Sequence, residues 1–163
     1  REEDGVIYFS VTSDGTTGEA WITRLERGGF RLDYTKKVLR SPDFKPTTGV
    51  TTEIAVLKGK LFSDNDRITS KIRAEADKRK WQKPNAEVAC LIREKFTDED
   101  IETMGLWWII TMHELIQVGG DPSVLGAGRS GDGRWLNACR IKPDGRWNRE
   151  VGFAFVVPQV SAL

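Results

Sequence analysis

The sequence predicts an α+β fold: a mixed sheet of about five strands, helices in two long crossovers, and a C-terminal antiparallel three-strand meander. Three observations point to it. Short β-rich runs at the start of the chain and at 50–58 are separated by helix-capping signals followed by apolar stripes. Leu106-Trp107-Trp108-Ile109-Ile110-Thr111-Met112 is apolar in both parities, as in a strand covered on both faces. Two Arg-Trp pairs then flank Lys142-Pro143-Asp144-Gly145, a turn signal between two strands. A chain of 163 residues is expected to form one domain, 1–163.

Val6 to Val11 reads as a strand ended by Ser13-Asp14-Gly15. Thr16 and Glu19 fit a capping box, opening a helix that turns Ala20, Trp21 and Leu25 inward and stops at Gly28-Gly29. Asp33 is placed to cap a short helix from Tyr34 to Arg40, which Ser41-Pro42 ends. Val50 to Lys58 alternates as a strand. Ser63 to Asp66 signals a helix reaching Trp81, with Ile68, Ile72 and Ala76 on one side and a solvated basic face. Asn85 can cap Ala86 to Phe96, and Thr97 with its acids starts a short helix closed by Gly105. The next strand is expected from Leu106 to Ile116, with Trp107 and Ile109 buried on one face.

The turn sets a register for the last hairpin. With Pro143 second and Gly145 in a left-handed bulge, Ile141 faces Trp147, Cys139 faces Arg149 and Trp135 faces Phe153. One face then collects Trp135, Cys139, Ile141, Trp147, Val151, Phe153 and Phe155. The other collects Arg134, Arg140 and Arg146. Core packing rather than base stacking is the expected role of those tryptophans.

Residues 129–149 hold six cations against two anions, a local excess of four in a chain whose net charge is +1. Arginines grouped in this way suit a phosphate or carboxylate. Between the central strand and the hairpin, Val118 to Gly133 contains six glycines and is expected to be a loop. Its Gly126-Ala127-Gly128-Arg129-Ser130-Gly131 spells G-x-G-x-x-G, but no strand-to-helix junction surrounds it, so a dinucleotide fingerprint is rejected. Asp43, Glu53 and Lys58 are likewise rejected as a nuclease core, because Glu53 and Lys58 have opposite parity on one strand.

The expected function is therefore a non-catalytic binding module. An anionic ligand or partner, nucleic acid included, would be read by Arg129, Arg134, Arg140 and Arg146 with the Gly126–Gly128 loop. Two alternatives remain: an enzyme using His113 or Cys139 beneath a glycine-rich lid, and a protein–protein adaptor. One histidine and two distant cysteines make no metal site unaided, and no cofactor is expected. Cys90 and Cys139 read as buried free thiols rather than a disulfide, which favours a cytoplasmic setting. No run reaches the ~20 apolar residues of a membrane span, and Arg1-Glu2-Glu3-Asp4 is not a signal peptide. The chain begins on arginine rather than methionine, which leaves room for residues upstream of Arg1.

Overall fold

The computed structural model describes residues 1–159. Among them, eight strands form one open mixed sheet with five α-helices, so the fold is α+β. The strands lie in the order β1 (Glu2–Glu3), β2 (Val6–Asp14), β3 (Thr48–Lys58), β8 (Val151–Val157), β4 (Trp108–Thr111), β6 (Asp121–Ser130) and β5 (Ile116–Val118). A further strand, β7 (Gly133–Arg140), pairs with the other side of β6. The β4–β8 pair is parallel and the other pairs are antiparallel.

Three strands beyond the expected five come from identifiable places. Glu2–Glu3 adds a short border. The strand expected over 106–116 is interrupted: β4 and β5 pair along the same side of β6 and in the same direction, with residues 112–115 between them. The expected glycine-rich loop is instead the ten-residue strand β6. Glycine is permissive rather than strand-breaking here, because β6 has neighbours on both sides and Val124, Leu125 and Ala127 are buried in two different cores.

The last hairpin register is overturned as well. β7 pairs with β6, placing Trp135 opposite Gly128 and Cys139 opposite Val124. β8 lies centrally between β3 and β4. Its residues Val151 to Phe155 are all buried, and such a strand needs cover on both faces and neighbours on both edges. The Lys142–Gly145 turn does form, with the Gly145 amide donating to Lys142 O at 3.0 Å, but Gly145 is not left-handed. Its carbonyls serve the next layer: Thr69 N–H donates to Gly145 O and Ser70 N–H to Pro143 O, at 3.1 and 2.8 Å. The turn thus caps helix α3 (Thr69–Lys78), which starts later than Ser63–Asp66 suggested.

The helices divide unequally between the two faces of the sheet. Helices α1 (Gly18–Arg27), α2 (Thr35–Leu39), α4 (Glu87–Lys95) and α5 (Asp98–Thr103) bury Trp21, Leu25, Val38, Ile92 and Ile101 in one core. Only α3 contributes to the second core, through Ile72 and Ala76. A ten-residue helix is about 15 Å long, whereas the sheet, seven strand positions wide because β4 and β5 share one, spans about 29 Å at about 4.8 Å spacing. Much of the second face therefore has no helix above it.

Local capping follows the sequence with small shifts. Thr17 rather than Thr16 caps α1, accepting from Ala20 N–H at 3.2 Å, and Ala20 itself is exposed. Asp33 has positive φ and makes no cap for α2. The Thr97–Asp100 capping box of α5 forms in both directions.

Candidate functional site

The expected arginine face is only partly open: Arg129, Arg134 and Arg140 are exposed, while the strip between Arg134 and Arg140 is covered. Arg134 and Arg140 lie on the side of β7 that also carries Leu136, which is 0% exposed against α1, α2 and α4. The main chain at Arg31 runs alongside β7, donating to Arg134 O at 2.8 Å and accepting from Leu136 N–H at 3.0 Å. Arg134 stacks over Phe30 and donates to Gly28 O at 3.2 Å. Arg140 pairs with Asp121 at 2.7 Å, and Arg129 pairs with Glu102 at 3.2 Å. Each of these three is occupied by a local partner. Arg146 is different: among the described residues its side chain has neither an ion pair nor a hydrogen bond.

Arg146 stands at a cleft of about 230 Å³ on the sparsely covered second face. Trp108 and Ile110 of β4, Asn137 and Cys139 of β7, and Trp147, Asn148 and Val151 complete its lining. The register explains why a cleft exists there. Trp108, Gly128 and Trp135 lie side by side on β4, β6 and β7, and the next row is Ile110, Gly126 and Asn137. With no Cβ at positions 126 and 128, the Ile110 and Trp108 side chains lie across β6. A Cβ on Gly128 would fall 2.5 Å from Trp108 Cε3 and 2.6 Å from Trp107 O; one on Gly126 would fall 2.6 Å from Ile110 Cδ1. Gly126 and Gly128 thus shape the floor by what they omit.

The walls are half-buried indoles and the polar groups are unengaged. Trp147 is anchored by Nε1–H donating to Thr69 Oγ1 at 2.9 Å and by an edge-on contact with Phe153. Among the described residues the side-chain amides of Asn137 and Asn148 have no hydrogen-bond partner. No carboxylate lines the cleft. One guanidinium without a counter-charge makes it a cationic site with aromatic walls.

Four sequence-selected residues therefore converge here: Gly126, Gly128, Cys139 and Arg146. Trp108, Asn137, Trp147 and Asn148 were not singled out as site residues, because the doubly covered strand had taken Trp108 into the core and the hairpin register had taken Trp147 there. Arg129, Arg134, Arg140 and His113 lie elsewhere. Trp107, expected to be buried, is 63% exposed, because it precedes β4 rather than belonging to it.

Cys139 has no base beside it. Burial pushes its thiol up to about 11, so it is a wall rather than a nucleophile near neutral pH. Cys90 is fully buried in α4 and shifted upward in the same way. Both cysteines are free.

His113 is occupied on both ring nitrogens. Its Nε2 accepts the Leu125 amide at 3.0 Å, which makes Nδ1 the protonated nitrogen, donating to Glu114 O at 2.6 Å. The residue lies where the ladder between β4 and β5 is broken, so the imidazole receives the β6 amide that a strand carbonyl would otherwise take. Buried at 1% exposure, its pKa falls from 6.5 to about 4, chiefly through desolvation. A thiol–imidazole couple with Cys139 is excluded by these bonds. Because the folded pKa lies below the unfolded one, the stabilisation is complete above pH 6.5. It is lost as pH falls from 6.5 to 4, since the unfolded chain takes up the proton first. The loss should total roughly 3 kcal/mol, at about 1.4 kcal/mol per unit. Urea unfolding across this window should show that slope in the native chain and not in His113→Gln; equal slopes would refute the assignment.

Among the described residues no group of three or more histidine, cysteine or acidic side chains is placed to hold a metal, and no helix is long and apolar enough to cross a membrane. Comparison with known proteins gives no match to a protein family, to a curated protein or to a solved structure. The cleft's own chemistry carries the functional reading.

Proposed function

We propose that the protein is a non-catalytic binding module whose ligand is a planar or partly apolar molecule bearing an anionic group, seated in the Trp108–Trp147 cleft. Arg146 receives the anion, Asn137 and Asn148 hydrogen-bond the ligand's polar edge, and the indoles supply apolar contact. The observation that supports this most is the unpaired guanidinium of Arg146 beside an aromatic cavity without a carboxylate. Pockets of this kind bury most of a ligand against apolar walls and orient it with a few polar groups. Single-stranded nucleic acid is the polymeric version of the same ligand, with a base stacked on an indole and a phosphate at the arginine.

Tryptophan fluorescence reports the test, since two indoles line the cleft. Uridine monophosphate and a twelve-nucleotide oligo(U) should quench it saturably at low salt. Arg146→Ala should weaken both by about tenfold or more, the scale of one charge-assisted hydrogen bond. Unchanged affinity in that variant, or no quenching by either probe, overturns the reading. Oligo(U) affinity that is flat across a salt series removes the nucleic-acid version and leaves the small anion.

A further inference from the structure

A second concavity, of about 260 Å³, lies between α3 and the Ile141–Pro143 segment. It is separate from the tryptophan cleft: Ile141, Lys142 and Pro143 line this one, while Arg146 and Trp147 line the other. Its apolar walls are Leu115, Ile141 and Pro143. Leu115 is 43% exposed, an apolar side chain left uncovered at the rim.

Two cations border these walls. Arg73 is half-buried on α3, and its only hydrogen bond among the described residues is a long one, 3.4 Å, to Met112 O. A guanidinium has five N–H donors, so the greater part of this one is unengaged. Burial is the main influence on it; Glu114 and Asp77 also act on it through space, but neither forms an ion pair with it, and Glu114 is paired with Lys83 at 3.2 Å. Lys142 has no side-chain partner among the described residues. The main-chain amides of Thr69 and Ser70 are taken by Gly145 O and Pro143 O, so neither is free to meet an anion here.

We propose that this concavity binds a small apolar carboxylate, its carboxylate held by Arg73 and Lys142 and its hydrocarbon tail against Leu115, Ile141 and Pro143. A partly desolvated guanidinium without an ion-pair partner gains most from an anion that fits it bidentately, as a carboxylate does. Apolar walls disfavour a fully hydrated inorganic anion and favour one that brings its own hydrocarbon. The volume suits a compact ligand rather than a peptide strand.

Hexanoate is the probe, with 1-hexanol and inorganic phosphate as its separate halves. In methyl-resolved NMR, hexanoate should shift Leu115 and Ile141 with a dissociation constant on the order of 1 mM, as expected for so few heavy atoms. Hexanol should bind at least about tenfold more weakly, and phosphate should leave both residues unmoved. Arg73→Gln should lower hexanoate affinity about tenfold, and Lys142→Gln, on the exposed turn, about threefold. The Lys142 variant keeps the test decisive if the Arg73 variant fails to fold. The proposal is overturned by equal binding of hexanol and hexanoate, by phosphate shifting the same methyls, by unchanged affinity in the soluble variants, or by no shift at about 20 mM hexanoate. Arg146 is intact throughout, so the result stands apart from that at the tryptophan cleft.

Discussion

Arg93→Ala should remove about 3–5 kcal/mol of stability, the scale of leaving a buried charge without its partner. Arg93 is 0% exposed on α4. Its guanidinium donates to Gly128 O, Trp135 O and Phe96 O at 3.2, 3.1 and 2.9 Å, lies 3.0 Å from the carboxylate of Asp98, and stacks over Phe30 at 4.7 Å. One side chain thus joins α4 to two strands and to the start of α5. Truncation strands three carbonyls and a nearly buried carboxylate. Denaturant unfolding should show the loss, and adding Asp98→Asn to the alanine variant should recover part of it by removing the abandoned anion. A cost below about 1 kcal/mol would mean that water replaces the guanidinium freely.

Gly128→Ala should cost about 2–3 kcal/mol and abolish the cleft together with uridine monophosphate binding. The added methyl meets the Trp108 ring, which can turn aside, and the Trp107 carbonyl at 2.6 Å, which is backbone and cannot. β4 must move away from β6, and the Trp108 wall moves with it. Thermal melts and fluorescence titration read the two effects separately. Native stability with native binding in this variant would show that the two strands are not held as closely as described.

The class of the fold was legible because local signals and apolar parity agree at most elements. The Thr97 box, the Gly28 stop and the Asn85 turn act within a few residues, and each forms where the sequence places it. Pairing partners were not legible. Lys142–Gly145 carries a sound turn signal, yet a turn states only that the chain reverses, and here it reverses to cap α3 while β8 inserts between β3 and β4. The run Val151-Gly152-Phe153-Ala154-Phe155, without a polar side chain in either parity, is a better sign of a central strand than the turn is of a hairpin.

The site was legible only in part for the same reason. Arg146, Cys139, Gly126 and Gly128 were singled out for charge, chemistry and backbone freedom, and they meet because β6 stands between β4 and β7. Arg93 and His113 show the converse. Nothing in the sequence singles out Arg93, and a lone histidine such as His113 reads more readily as a satisfied structural group than as a catalytic one. Both in fact satisfy main-chain groups that the strand and helix ladders leave over.

The strand alongside Arg31 has a consequence for how copies of the chain meet. Exposed sheet borders are templates for polymerisation. At one border β1 offers only two residues, both glutamates, which repel a like neighbour. At the other, the Arg31 main chain already occupies the first half of β7. Both margins are shortened rather than closed: Phe9–Asp14 of β2 lies beyond β1 and Asn137–Arg140 of β7 lies beyond Arg31, so main-chain zippering between copies has only these short stretches to use.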